Sequence, residues 1–102
     1  MIKCGTDIIE IARIKDAIEK ERFKERVYTE KEIEYCESKN VQKYQSYSGR
    51  FAAKEAIFKA LSTLIKDKYK IKWTDFEIIN DKEGKPNVQI NTDIIDKSLV
   101  NN

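Results

Sequence analysis

The sequence contains no histidine among its 102 residues. A catalytic triad or metal site that depends on histidine therefore cannot be built from these residues. The two cysteines, Cys4 and Cys36, fit neither a metal-ligand spacing nor a disulfide framework, so we expect both to be reduced and to behave as small apolar residues. A signal peptide and an apolar run long enough to span a bilayer are also lacking, which predicts a cytoplasmic protein without a membrane partner.

The balance of charge says little about partners. Basic residues outnumber acidic ones by 20 to 18, so the net charge of +2 gives no general argument for nucleic acid binding. Charged residues make up 37% of the sequence and hydrophobic residues 40%, which predicts one domain over residues 1–102 with a modest core. An early group of basic side chains is either a solvated face or a dock for an acidic or phosphorylated partner. Its members are Arg13, Lys15, Lys20, Arg22, Lys24 and Arg26.

The amino-terminal segment Ile2–Ile11 is rich in β-branched residues, and this favours a strand. Alternation along a strand would place Gly5 and Asp7 on the same face. Aspartate is disfavoured inside a strand, and a glycine beside it allows a ligand or another backbone to come close. A carboxylate at such a gap either marks a bulge or strand end, or holds a hard cation such as Mg²⁺.

The run Arg50–Leu61 predicts a long helix that ends near residues 64–66, because it is rich in helix formers and contains no proline. At 100° per residue most of its apolar side chains share one wide arc, yet Lys54 lies within that arc and Glu55 borders it. A charge on a core-facing arc is costly unless it is paired or its stem reaches water. Lys54 is therefore either a snorkelling residue or a functional one. Glu55 and Lys59 could form an ordinary surface pair worth about 0.3–0.5 kcal/mol.

Local signals predict the remaining elements. Thr29 and Glu32 have the spacing of a capping box, which predicts a helix that begins there and runs to about Ser38. The segment from Asn80 to Lys85 has the residues of a hairpin turn, and Pro86 limits hydrogen bonding where the returning strand begins. The expected fold class is α/β (α+β), with a small antiparallel sheet packed against a long helix. The other predicted segments are a helix over 12–20, an irregular stretch over 40–47, strands over 70–79 and 87–90, and helix-like spacing over 91–102.

Four short motifs occur in the order and at the spacing found in one family. They are Gly5-Thr6-Asp7-Ile8, Arg22–Thr29, Gly49–Ala56 and Gly84-Lys85-Pro86. In these motifs the chain resembles the small 4′-phosphopantetheinyl transferases of the bacterial type. Each motif alone would be a weak signal, but four in register form a specific one. The resemblance extends to about Ile90.

The resemblance implies a reaction and assigns roles to residues. Such enzymes move the 4′-phosphopantetheine arm from coenzyme A to a serine of apo acyl carrier protein in fatty acid biosynthesis, and they release adenosine 3′,5′-bisphosphate. Asp7 and Glu55 match the family's Mg²⁺ ligands, and Lys59 would reach a phosphate oxygen. Lys54 matches the lysine before the metal-binding glutamate and would stabilise developing charge. The base that activates the serine is either Glu55 or a metal-bound water.

The resemblance also implies contacts with partners. Arg13 and Arg22 look like the family's docking residues for the acidic helix of the carrier protein. Arg50 and the motif Gly84-Lys85-Pro86 look like contacts to the nucleotide part of coenzyme A. Members of the family commonly form trimers with active sites between neighbouring subunits, so a homotrimer is expected here.

Family members normally continue with a further strand that carries a Ser-x-Ser-His or Ser-x-Thr-His motif, which has no counterpart among residues 1–102. Either the 102-residue chain is truncated or the protein lacks this strand, and in both cases the resemblance implies that the chain is weakly active or inactive. A rival hypothesis is a non-catalytic module that binds a carrier protein or mediates oligomerisation. A generic nucleotide-binding protein is a third hypothesis, although the sequence has no Gly-rich phosphate loop.

Overall fold

The structure is a computed structural model that describes residues 5–20, 22–65 and 70–95. The described elements are helices, two short strands and three 3₁₀ turns, which confirms a mixed fold of helices with a small antiparallel sheet. The helices are α1 (Gly5–Ile18), α2 (Phe23–Val27), α3 (Glu30–Glu37) and α4 (Lys43–Leu61). The strands are β1 (Phe76–Asn80) and β2 (Pro86–Ile90), and the 3₁₀ turns are Asn40–Gln42, Trp73–Asp75 and Thr92–Ile94.

The strand predicted at the amino terminus is wrong from Gly5 onward, because α1 begins at that residue and absorbs the helix predicted from residue 12. Ile14 is buried and Ile11 and Ile18 are half-buried, so the apolar residues that pack recur at helical spacing. The β-branched Ile8 remains 64% exposed. Packing of one helical face thus outweighs the local strand preference of the isoleucines. Residues 2–4 of the predicted strand lie outside the described residues.

The core joins α1 to the next three helices. Ile14, Val27, Tyr28, Cys36 and Tyr47 form one buried cluster. The Tyr28 hydroxyl donates to the Tyr47 carbonyl at 2.8 Å, and the two rings meet edge to face with centres 4.8 Å apart. Burial raises the pKa of Cys36 to about 11, so this thiol stays protonated as a small core residue, as expected. Cys4 lies outside the described residues.

The capping box predicted for α3 is confirmed. Thr29 is the residue that caps the helix, and its hydroxyl accepts the Glu32 amide at 3.3 Å. The Glu32 carboxylate accepts the Thr29 amide in return at 2.9 Å. The helix ends at Glu37, one residue before the predicted end.

Helix α4 begins earlier than predicted, because residues 43–47 are helical where the sequence indicated an irregular stretch. The added turn is held by α3: the Lys43 ammonium lies 3.2 Å from a Glu37 carboxylate oxygen, and the Tyr47 hydroxyl donates to Glu37 at 2.7 Å. The hydrogen bond from the Tyr47 hydroxyl lowers the pKa of Glu37. The helix ends at Leu61, whereas the sequence indicated an end at residues 64–66.

The predicted hairpin is confirmed. Strands β1 and β2 pair antiparallel with Ile78 opposite Val88. Gly84 takes a φ of 85° in the turn, a left-handed conformation that glycine adopts without strain. The Asp81 amide donates to the Lys85 carbonyl at 2.8 Å and closes the loop. The first strand is shorter than predicted, since residues 73–75 form a 3₁₀ turn, and β1 contacts both α3 and α4.

The last described residues return to the end of α4. Ile95 forms an isolated antiparallel bridge with Ile65 after the 3₁₀ turn Thr92–Ile94. Residues 96–102, for which the sequence also indicated helix-like spacing, lie outside the described residues. Among the described helices, none is both long enough and apolar enough to cross a membrane.

Candidate functional site

Lys54 lies entirely inside the protein, with none of its surface exposed. Its ammonium is 2.7 Å from a carboxylate oxygen of Glu32, and it donates to the carbonyls of Val27 at 2.7 Å and Trp73 at 3.1 Å. An ammonium has three N–H donors, so these three acceptors use all of them. The cation is therefore paired in the core, and it does not snorkel to water.

Glu32 is equally buried and satisfies further donors. One carboxylate oxygen accepts the Thr29 amide as well as Lys54, and the other accepts the Ile78 amide of β1 at 2.8 Å. Burial lowers the pKa of Lys54, and the Glu32 carboxylate opposes that shift. These contacts give Lys54 a role inside the fold that needs no substrate. Its predicted catalytic role remains a prediction.

Arg50 lies one helical turn before Lys54 and is also nearly buried. Its guanidinium donates to the side-chain oxygen of Asn80 and stacks 4.1 Å above the ring of Tyr35. Its Nε is buried and, within the described part of the chain, has no hydrogen-bond partner. A buried polar atom without a partner is uncommon and indicates a place where a ligand or water completes the hydrogen bonding.

Arg50 opens onto a cleft of about 290 Å³ between α4 and the hairpin. Asn80 links the arginine to the turn, since its side-chain amide donates to the Gly84 carbonyl at 3.0 Å. The structure thus brings together Arg50, Gly84 and Pro86, while Lys85 is exposed at the rim of the same turn. The cleft is lined by Ser46, Gly49, Arg50, Ala53, Ile78, Asn80 and Pro86.

Glu55 and Lys59 occupy successive turns of α4. Glu55 is half-buried and Lys59 is exposed. The surface pair that the sequence allowed does not form, since among the described ion pairs there is none between these two side chains. Nor does the Glu55 carboxylate accept a hydrogen bond from any described group, so its oxygens are open to another ligand.

Asp7 lies in the first turn of α1, on a helix where a strand was predicted. The carboxyl-terminal half of α1 packs on the amino-terminal half of α4, since the Lys15 ammonium is 5.5 Å from the centre of the Tyr44 ring. Within the described residues, no group of three or more His, Cys, Asp or Glu side chains could hold a metal ion. The predicted pair of carboxylates is a smaller set, and a hard cation such as Mg²⁺ takes only one or two protein carboxylates beside water and phosphate. The unengaged Glu55 carboxylate fits that donor set.

The structure leaves Arg13 and Arg22 on the surface, apart from the cleft. The Arg13 side chain is 72% exposed and pairs with Glu10 of the same helix at 2.8 Å. Arg22 precedes α2 with a φ of 71°, a left-handed conformation that is rare for residues other than glycine. Their predicted role in docking remains a prediction.

The sequence did not reveal three residues that shape the site: Glu32, Tyr35 and Asn80. Glu32 was assigned only as a capping residue, although Lys54 on an apolar arc requires a buried acceptor somewhere. Joining those two observations would have predicted the pair. Tyr35 and Asn80 carry no comparable signal, because their contacts with Arg50 depend on how distant segments pack.

The sequence profile of the 4′-phosphopantetheinyl transferase superfamily matches residues 3–101, so the chain belongs to that superfamily. Within this family of enzymes its similarity is to the holo-[acyl-carrier-protein] synthases. The protein of that name from Clostridium tetani is 53% identical over 97 residues, which are 94% of this chain and 74% of the relative.

Two further relatives carry the same name. The one from Ruminiclostridium cellulolyticum is 52% identical over 88 residues, which are 84% of this chain and 64% of the relative. The one from Fusobacterium nucleatum is 45% identical over 101 residues, which are 99% of this chain and 79% of the relative. The chain thus spans roughly two thirds to four fifths of the length of these relatives. No solved structure matches the chain.

Proposed function

We propose that this chain transfers the 4′-phosphopantetheine group from coenzyme A to a serine of apo acyl carrier protein. The products are holo acyl carrier protein and adenosine 3′,5′-bisphosphate, and the proposed role is in fatty acid biosynthesis in the cytoplasm. The observation that carries the proposal is the 53% identity to a holo-[acyl-carrier-protein] synthase over 94% of the chain. The cleft beside Arg50 supports it physically, because a buried cation at a cleft is suited to a phosphorylated ligand.

The proposal assigns the Mg²⁺ site to Asp7 and Glu55. Glu55 offers a half-buried carboxylate that no described group engages. Asp7 lies in the first turn of α1, at the end opposite to Lys15, and its assignment comes from the family resemblance. When bound, the ion supplies charge neutralisation at the pyrophosphate of coenzyme A.

The nucleotide side of coenzyme A is assigned to the cleft. Arg50 is held in place by Asn80 and Tyr35, and it lines the cleft where a phosphate of the nucleotide is proposed to bind. Pro86 lines the cleft, and Gly84 and Lys85 precede it in the same turn. The positive-φ glycine keeps this turn tight, so its backbone can approach a ligand without a side chain in the way.

Two further proposals concern proteins that this chain contacts. Arg13 and Arg22 are assigned to docking of the acidic carrier protein, which their exposure on and beside α1 supports. A homotrimer is proposed from the family resemblance.

The function is tested by incubating the protein with coenzyme A, Mg²⁺ and apo acyl carrier protein and weighing the carrier by mass spectrometry. We expect the carrier to gain one phosphopantetheine on serine, and a carrier whose serine is replaced by alanine to gain none. An unmodified wild-type carrier after prolonged incubation at high enzyme concentration would refute the proposal.

Lys59→Ala should raise the KM for coenzyme A with a smaller effect on kcat. Lys59 is exposed one turn beyond Glu55, where the proposal has it contact a phosphate oxygen. A hydrogen bond to a charged group is worth about 1.5–3 kcal/mol, so the KM should rise by about tenfold or more. Steady-state kinetics with varied coenzyme A measures this. The control is Lys31→Ala on the exposed face of α3, and an unchanged KM in Lys59→Ala would remove the assignment.

Arg13→Glu should weaken recognition of the carrier protein and leave coenzyme A binding unchanged. Reversal of a docking charge replaces attraction by repulsion and mainly slows association. The loss of the exposed pair with Glu10 should cost at most about 1 kcal/mol of stability. The KM for the carrier is measured at low salt and at 0.15 M, where charges are screened over about 8 Å. Lys31→Glu makes the same change elsewhere, and an equal effect in both variants would contradict a docking role for Arg13.

A further inference from the structure

We propose that the buried Glu32–Lys54 pair is a positioning device for Glu55, which it holds at the metal site through the backbone of α4. The inference rests on the proposed function. In this proposal Lys54 affects the reaction by positioning Glu55, and it does not touch the substrate.

The pair ties α4 to four neighbouring segments. The Lys54 ammonium bonds to Glu32 of α3, to the carbonyl of Val27 at the end of α2, and to the carbonyl of Trp73 in the following 3₁₀ turn. Glu32 continues the network to the amide of Ile78 in β1. Directional bonds to four separate segments therefore fix both the height and the rotation of α4 at residue 54.

Glu55 has no comparable support of its own. Its side chain forms no hydrogen bond or ion pair with the described residues, so the place from which its carboxylate reaches out depends on the backbone that carries it. Consecutive residues of an α-helix differ by 100° in direction and 1.5 Å in height. Fixing Lys54 on the interior side thus determines where Glu55 emerges. Arg50, one turn earlier on the same side as Lys54, is fixed by the same rotation.

Stability alone does not explain why a charged pair occupies this place. Apolar residues of similar volume often stabilise a protein as well as a buried ion pair does, or better. What apolar packing lacks is directional bonding, which specifies one rotation of the helix. A positioning role explains the presence of two fully buried charges beside a metal-binding residue.

The test uses the double variant Glu32→Gln/Lys54→Met, which removes both charges and retains an oxygen for the Ile78 amide. The matched control is Glu37→Gln/Lys43→Met, which makes the same two changes in the partly exposed pair that also joins α3 to α4. Mn²⁺ binding in the presence of coenzyme A is measured directly by the electron paramagnetic resonance of the free ion. Transfer is measured over a range of Mg²⁺ concentrations.

For the buried double variant we expect the dissociation constant for Mn²⁺ to rise by about tenfold, the usual effect of removing a group that orients a metal ligand. The Mg²⁺ concentration for half-maximal rate should rise in parallel, and saturating Mg²⁺ should restore kcat. The control should match wild type in each measurement. If the double variant loses its helical circular dichroism, Glu32→Asp is measured, since it keeps both charges and shortens the bonded side chain by one methylene, with the same expected direction.

Two results would overturn the inference. Unchanged Mn²⁺ affinity with unchanged kcat would reduce the pair to a stabilising element. A loss of kcat that saturating Mg²⁺ does not restore would mean that Lys54 acts on the reaction itself. Absence of transfer in wild type would refute the proposed function instead, and the Mn²⁺ measurement would still decide on positioning.

Discussion

Glu55→Gln should reduce Mg²⁺-dependent transfer by at least about a hundredfold, the upper end of what loss of an outer partner of a metal ligand costs. The amide keeps the size of the side chain and removes the charge that attracts a hard cation. Because Glu55 is half-buried and makes no described hydrogen bond, the free energy of unfolding should change by no more than about 0.5 kcal/mol. Initial rates of carrier modification and thermal unfolding of the same samples provide the two measurements.

Glu34→Gln, an exposed change on α3, is the matched control and should leave the rate unchanged. Asp7→Asn should behave like Glu55→Gln if both carboxylates hold the ion. Near-normal turnover of Glu55→Gln at limiting Mg²⁺ would show that the metal assignment is wrong. The proposal for the reaction as a whole would survive that outcome, since the carrier would still be modified.

Lys54→Met should lower the free energy of unfolding by about 3–5 kcal/mol, because it leaves a buried carboxylate without its cation. Two backbone carbonyls, those of Val27 and Trp73, also lose their donor. A loss of this size is a large part of the stability of an ordinary domain, which is about 5–15 kcal/mol. For a domain of this length 1 kcal/mol corresponds to about 4–8 °C, so Tm should fall by at least about 12 °C.

Lys43→Met on the same helix is the control that separates the effect of burial from the effect of losing an ion pair. Lys43 also pairs with a glutamate of α3, but that pair is partly exposed, so solvent screening should leave it a much smaller contribution to stability. Circular dichroism melts of both variants under one buffer condition measure the difference. Equal Tm values for the two variants would mean that the Glu32–Lys54 contact contributes no more than a surface pair.

The elements that the sequence predicted well are those that local chemistry determines. The capping box of Thr29 and Glu32 closes within four residues, so its signal is complete in the sequence. The hairpin turn depends on Asp81 and Gly84, which bond to groups within the turn itself. Neither element needs information from distant parts of the chain.

The secondary structure was predicted wrongly where contacts between distant segments determine it. The isoleucines at the start of α1 favour a strand locally, whereas Ile11, Ile14 and Ile18 bury one face of a helix. Residues 43–47 look irregular in sequence, yet they are helical, and Lys43 and Tyr47 both bond to Glu37 of the preceding helix. No window of neighbouring residues contains these contacts.

The candidate site shows the same division. Periodicity identified Lys54 as misplaced on its helix, but its partner lies 22 residues earlier and was recognised only as a cap. Arg50 and the turn at Gly84 were grouped through the family resemblance, and no argument from spacing connects them. The structure supplies the physical link through Asn80.

Trp73 gives the network around Lys54 a natural optical signal. It is the one tryptophan of the sequence, and its ring centre lies 5.3 Å from that of Phe51 and 6.4 Å from that of Phe58 on α4. The carbonyl of the same residue accepts the Lys54 ammonium. Separation of α4 from this turn would admit water to the indole and shift its fluorescence to longer wavelength. The tryptophan emission of the unlabelled protein therefore reports whether α4, which carries Glu55, remains packed against this turn.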